Sequence, residues 1–435
     1  MYVFYSALLA VGLLVSLPYW LFQMKRHGKY RLGLRQRLGG VTPGLREHSS
    51  RRTIWVHAVS VGEVLAVSGL VEQMRRRWPD ARIVVSTTTD TGQELARTRF
   101  GADSVFYYPL DFAFAIRPYL QALRPELVVV AETEFWPNFL HLTKRSGARV
   151  AIVNARISDR SWPGYKRLRW WLPTVISNVD LFLAQTCEDR NRLIDIGAPQ
   201  GRVEVTGNLK FDVQPPSPPP LMASLRKSFQ ESGAGPIVVC GSTVDEEEER
   251  MLLQAFQNIL ASHSHAVMIL APRHPERFPA VAMLLENLGI RFWRRSLWSG
   301  ESVSGGVLLL DSIGELAPVY ALTDIAFVGG SLVPKGGHNI IEPARHGVPI
   351  VVGNHYENFR DIIGLFQAHD AVRIVGPAEL PLVLMDLISN EVERKALGRR
   401  AAETLRSQTG ATERTFTALE RLLFPSVASA RSPQK

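Results

Sequence analysis

Cysteine is nearly missing from these 435 residues: Cys187 and Cys240 stand far apart, in different halves of the chain. Two such thiols give neither a disulfide framework nor metal-ligand spacing, which points to a reducing compartment. No Asp-X-Asp occurs anywhere, so a metal-held sugar nucleotide would lack its usual carboxylates. The most glycine-rich stretch, Gly329–Pro349, contains neither GxxxxGK(S/T) nor GxGxxG. A Walker-type NTPase and a dinucleotide site therefore have little support. His338, Glu342 and His346 fall at i, i+4 and i+8, yet HExxH is missing, Pro343 interrupts the run and His338 lies among glycines; these features argue against a metal site. No short-period repeat marks the chain as a solenoid.

Charge is absent from Met1–Met24, which is rich in Leu, Val, Phe, Tyr and Trp. That length approaches the roughly 20 apolar residues a membrane helix needs. Tyr19 and Trp20 fit an interfacial belt. A secretory signal is disfavoured, because a basic leader and a small-residue cleavage site are both missing. Between Lys25 and Arg52, nine Lys/Arg face one acid, Glu47. The positive-inside rule keeps this flank, and the chain after it, on the cytoplasmic side. The flank also suits anionic headgroups or lipid phosphates, and the net charge of +9 suggests an acidic partner: nucleic acid, anionic lipid or a phosphorylated substrate.

Strand and helix patterns then alternate. Ile54–Ala58 reads as a buried strand, with Ser60–Gly62 as a tight turn and Glu63 opening a helix that carries Val64, Val67, Leu70, Val71 and Met74 at helical spacing. This sets a carboxylate at the mouth of a strand–turn–helix crevice, where α/β sheets hold ligands; a first-turn partner for the helix dipole accounts for Glu63 equally well. TTTDTG at Thr87–Gly92 follows the strand Arg82–Thr87 and suits an anionic or hydroxylated ligand, or plain capping by Asp90 or Thr91. The apolar strand Leu127–Ala131 runs straight into Glu132 and Glu134, two more carboxylates at a strand's carboxyl end. Further on, ARISDRSWPGYKRLRWW interleaves Arg156, Arg160, Lys166, Arg167 and Arg169 with Trp162, Trp170 and Trp171. The upstream apolar segment favours a membrane surface over nucleic acid for this stretch.

QPPSPPP, 214–220, reads as a semi-rigid linker. Past it the strands Pro236–Gly241, Val267–Ala271, Val307–Asp311 and Ile325–Val328 define a second α/β unit. The acid run Asp245–Glu249 is most simply a favourable first helical turn. Gly329–Pro349 leads to a helix expected near Asn339, whose N–H groups would hold a phosphate. Glu342 is placed to accept hydrogen bonds from ribose hydroxyls, and Arg273, at a strand end, to grip a phosphate. A helix from Ala411 would cross back to the first unit.

Together these segments resemble the 3-deoxy-D-manno-octulosonic acid (Kdo) transferases of lipopolysaccharide synthesis. The resemblance is carried by HAVSVGE (His57–Glu63), TTTDTG (Thr87–Gly92), ETEFWPN (Glu132–Asn138), NARISDRS (Asn154–Ser161), GNLKFD (Gly207–Asp212), PRHPERF (Pro272–Phe278) and FVGGSLVPKGGHNIIEPA (Phe327–Ala344). It implies an α/β chain of GT-B fold, two facing Rossmann-like domains behind an N-terminal membrane-anchoring helix. The expected divisions are an anchor over 1–24, an acceptor-binding domain over 25–213, a linker over 214–235, a CMP-Kdo-binding domain over 236–410, and a C-terminal helix and tail over 411–435. It implies inverting, metal-independent transfer of Kdo from CMP-Kdo to lipid IVA, with no cofactor. Glu63 matches the general base, and Glu132 and Lys210 match transition-state stabilisers. Pro272, Arg273, Ile313, Gly314, Glu315, Asn339, Ile340, Ile341 and Glu342 match the CMP-binding segments. The expected setting is the cytoplasmic face of the inner membrane, with anionic lipids and no nucleic acid as partners. A nucleotide-sugar epimerase or another membrane GT-B enzyme is the alternative; an epimerase has no need of an anchor.

Overall fold

The computed structural model describes residues 1–27, 32–46, 52–159, 161–214 and 219–425. Lys29, Arg31, Glu47, Arg51 and Arg160, most of the proline run (215–218) and the tail from 426 lie outside the described residues. Two compact units form: Met1–Val213 with Thr409–Lys435, and Gln214–Gln408.

In the first unit the strands are Thr53–His57 (β1), Arg82–Thr87 (β2), Val105–Tyr107 (β3), Pro125–Ala131 (β4), Arg149–Ala155 (β5), Leu181–Ala184 (β6) and Val203–Val205 (β7). They pair in the order β3-β2-β1-β4-β5-β6-β7, every pair parallel. Such a sheet is covered on both faces, which is why its strands read as continuous apolar runs. Alternate residues of β1 enter separate cores. Trp55 packs with Phe106, Tyr119 and Phe139, while Ile54 and Val56 pack with Val64, Val67 and Leu70 of the helix Val61–Arg77. Phe416 and Leu419 of the C-terminal helix Ala411–Leu423 complete that second core, so this helix belongs to the first unit.

The second unit repeats the plan with Ile237–Thr243 (β8), Val267–Pro272 (β9), Phe292–Arg294 (β10), Gly306–Leu309 (β11), Ile325–Val328 (β12), Ile350–Gly353 (β13) and Arg373–Val375 (β14). Their order is β10-β11-β9-β8-β12-β13-β14, again all parallel. Residues 221–232, read from the sequence as linker, form a helix instead; its Leu221, Leu225 and Phe229 are buried under this sheet. Strand order reverses between β1 and β4 in one unit and between β8 and β12 in the other. At such switch points neighbouring crossovers depart to opposite faces and leave a crevice at the strands' carboxyl ends.

The N-terminal helix is Tyr2–His27. Its segment Tyr2–Trp20 is long and apolar enough to cross a membrane, with none of it buried in the protein. Its first turns nonetheless dock on the first unit: Tyr2 stacks on His141 at 3.8 Å, and Asn138 Nδ2 donates to Ser6 Oγ at 2.9 Å.

Candidate active site

Glu63 reaches the switch point of the first unit because β1 ends at His57 and the next helix starts at Val61, with Ser60 extended at its N-cap. Gly62 lies inside that helix, so the expected tight turn over Ser60–Gly62 is a helix start. Glu63 bends back over it. One carboxylate oxygen accepts from the Val59 N–H at 2.8 Å and the other from Ser60 Oγ at 2.9 Å. The side chain is therefore fixed, yet each oxygen keeps a lone pair. Burial raises its pKa to about 7; the negative charges of Glu132 and Glu134 add to this, and the two hydrogen bonds oppose it. A carboxylate poised there is suited to take a proton at neutral pH. The dipole reading does not explain that environment.

Glu132 follows β4 directly and holds a left-handed backbone, φ 56°, although its N–H still bonds Val153 O at 2.9 Å. A bulky residue adopts that region only where the surroundings impose it, and such positions cluster at functional sites. Its carboxylate receives Lys210 Nζ at 2.9 Å, with both side chains 30% exposed. Lys210 arrives on a short turn, Leu209–Asp212, after β7. Asp212 in turn caps the C-terminal helix, accepting from the N–H groups of Gly410 at 2.8 Å and Thr412 at 2.6 Å. Glu134 lies close by; burial first, and then the charge of Glu132, raises its pKa. The helix behind it, Pro137–Arg145, is capped from a distance by Asp111, which accepts from the N–H groups of Asn138 and Phe139. In TTTDTG the N-cap is Thr89, accepting from the Gly92 N–H, and neither Asp90 nor Thr91.

The second unit gathers its candidates around the β8/β12 switch. Pro272 ends β9, and the Arg273 N–H bonds Thr243 O at 2.8 Å. Burial lowers the pKa of His338 to about 4, helped by the positive charges of Arg273 and His274. Burial raises the pKa of Glu342, while Asn339 and the charges of Arg273 and Arg345 pull it down. Arg273, His338, Asn339 and Glu342 thus share one neighbourhood. Glu342 Oε1 accepts from Asn339 Nδ2 at 3.2 Å. After β11, Ile313 is 69% exposed, Gly314 has φ 87°, and Glu315 is held by Arg295 at 2.9 Å and by Ser312.

The glycine stretch differs from its expected form. Its helix is only Ile341–Arg345, and the Ile341 N–H is taken by Asn339 Oδ1 at 3.1 Å. The N–H groups of Gly330, Ser331 and Leu332 are taken by Glu248, which is fully buried. They are therefore satisfied within the protein. Glu248 stands in the first turn of the helix Glu246–Ser262, as expected, and is buried there. Glu249, in the same turn, is also buried and is bonded to Thr243 and Arg277. His338 lies in the loop before the short helix, so His338, Glu342 and His346 do not share one helical face.

Residues 32–213 match the family model for 3-deoxy-D-manno-octulosonic-acid transferase (kdotransferase). The 3-deoxy-D-manno-octulosonic acid transferase of Haemophilus influenzae is 34% identical over 96% of this chain and 97% of its own. The chain belongs to the Kdo transferase family. Its counterpart in Bordetella pertussis is also 34% identical, over 84% of this chain and 86% of its own. A UDP-N-acetylglucosamine 2-epimerase from Listeria monocytogenes shares the fold, with TM-score 0.60 and coverage of 87% and 98%, but at 14% identity. The likeness to that enzyme is one of GT-B architecture; family membership makes this chain a Kdo glycosyltransferase.

Proposed function

We propose that the enzyme moves Kdo from CMP-Kdo to lipid IVA, inverting the anomeric centre and using no metal. The reading rests above all on the environment of Glu63: a buried, clamped carboxylate with its pKa near 7, beside the Glu132–Lys210 pair at a sheet's switch point. Glu63 takes the proton of the acceptor hydroxyl as that oxygen attacks the anomeric carbon of Kdo. The bond to the phosphate of CMP breaks and its electrons leave with CMP. Glu132, held in place by Lys210, opposes the positive charge that builds at the anomeric carbon. Arg273, Pro272, Ile313–Glu315 and Asn339–Glu342 hold the cytidylate, and Arg273 offsets charge on the departing phosphate. CMP is a good leaving group, so an activated nucleophile and a phosphate grip carry most of the chemistry. The missing Asp-X-Asp agrees with a metal-free donor site.

The acceptor is a phosphorylated amphiphile. An exposed apolar helix with a basic flank would keep the enzyme at the cytoplasmic face of the inner membrane, among anionic lipids. The test is to incubate the full chain with CMP-Kdo and tetra-acylated lipid A precursor and weigh the lipid. A mass gain of whole Kdo residues with CMP release is expected; an unmodified lipid would refute the assignment.

A further inference from the structure

Asn154 is the next-to-last residue of β5, the strand paired with β4, after which Glu132 stands. It is 1% exposed and holds a left-handed backbone, φ 54°. Its Oδ1 accepts from the N–H of Leu209, the residue before Lys210, at 3.0 Å. Its own carbonyl accepts from Gln185 Nε2 at 3.0 Å. The preceding residue, Val153, supplies the carbonyl that fixes the Glu132 N–H at 2.9 Å. One strand end therefore anchors the backbone of Glu132 and the turn that carries Lys210. The other end of that turn is fixed where Asp212 caps the C-terminal helix. Between these two fixings lies the ammonium that meets Glu132 at 2.9 Å.

The side chain carries a cost that a purely architectural residue would avoid. Glycine adopts a positive φ without strain. The Nδ2 of Asn154 is buried and donates to no described protein group, which costs stability. What the amide contributes in return is the bond to Leu209.

We infer that Asn154 is a positioning residue, acting through Leu209 to set Lys210 against Glu132. This rests on the transition-state roles proposed for that pair.

The test uses the full chain in detergent with CMP-Kdo and the tetra-acylated precursor, comparing wild type, Asn154→Gly, Asn154→Ala and Lys210→Ala. Glycine relieves the backbone and removes the unpaired Nδ2 but leaves the Leu209 N–H without its acceptor, so Asn154→Gly should melt close to the wild-type temperature and above Asn154→Ala. Its kcat should fall about 10- to 100-fold, the usual consequence of misplacing a reacting group by about an ångström, with both KM values within threefold of wild type. Asn154→Ala should show the same kcat loss and a lower melting temperature. If Asn154→Gly keeps kcat within twofold of wild type, or melts well below it, the positioning role is overturned. Lys210→Ala separates the two readings. Wild-type turnover in that variant would sink the role of Lys210 itself, whereas an inactive Lys210→Ala beside a fully active Asn154→Gly would sink only the inference about Asn154.

Discussion

Replacing Glu63 by Gln should stabilise the enzyme while stopping it. A free glutamate has its pKa near 4.5, and burial lifts that of Glu63 to about 7 in the folded chain. The folded state thus holds a proton on this group where the unfolded chain has released it. Its contribution to stability is fully retained below pH about 4.5 and falls as pH rises toward 7. Above pH 7 the folded protein carries an ionised, largely desolvated carboxylate, a penalty of about 3 kcal/mol at most. Gln keeps the shape, and its carbonyl still accepts from the Val59 N–H, but it never ionises. At pH 8, Glu63→Gln should therefore melt several degrees higher, since about 1 kcal/mol moves the midpoint of a unit this size by roughly 2–4 °C. The gain should shrink as pH falls and vanish near pH 4.5. Turnover at pH 8 should meanwhile drop about 10²- to 10⁴-fold, the contribution of a general base. Thermal unfolding between pH 4.5 and 8.5, alongside CMP release, measures both. A Glu63→Gln chain that is no more stable at pH 8 than wild type, or whose advantage does not depend on pH, would refute the account of Glu63 as a strained carboxylate.

Other expectations concern the second unit and the donor. Arg273→Ala should weaken CMP binding roughly ten- to a hundredfold, the worth of a charge-assisted hydrogen bond; equal calorimetric affinity for the variant and the wild type would remove Arg273 from the phosphate. Glu248→Gln puts an amide NH₂ where a carboxylate accepts three N–H groups, and should destabilise the second unit by about 2 kcal/mol, read as an earlier thermal transition. Turnover should persist in EDTA, and activity lost there but restored by a divalent ion would overturn the metal-free mechanism.

Parallel sheets buried on both faces write themselves into sequence as apolar runs. This is why β2 and β12 are found residue for residue, and why the carboxylates after β1 and β4 stand out as candidates. The short edge strands β10 and β14 carry weaker patterns, being only half-buried and three residues long. Local patterns mislead where a distant contact decides. Glu248 is a helix-start acid, as its neighbours reveal, but the backbone groups it also serves lie 82 to 84 residues away. The same holds for Asp111, which caps a helix 27 residues downstream. Asn154 lies near the end of the apolar strand β5, and its partner 55 positions along leaves no local pattern. Proline-rich composition predicted a linker past residue 220, yet Leu221, Leu225 and Phe229 form a buried stripe at helical spacing there, and burial won.

The most direct check on Glu63 as proton acceptor is the dependence of kcat/KM on pH, measured for wild type and Glu63→Gln with saturating CMP-Kdo. The wild-type rate should climb from pH 5 and level off above an inflection near 7, and the residual rate of Glu63→Gln should lack that limb. A wild-type profile without an inflection near 7, or the same limb persisting in Glu63→Gln, would contradict the mechanism.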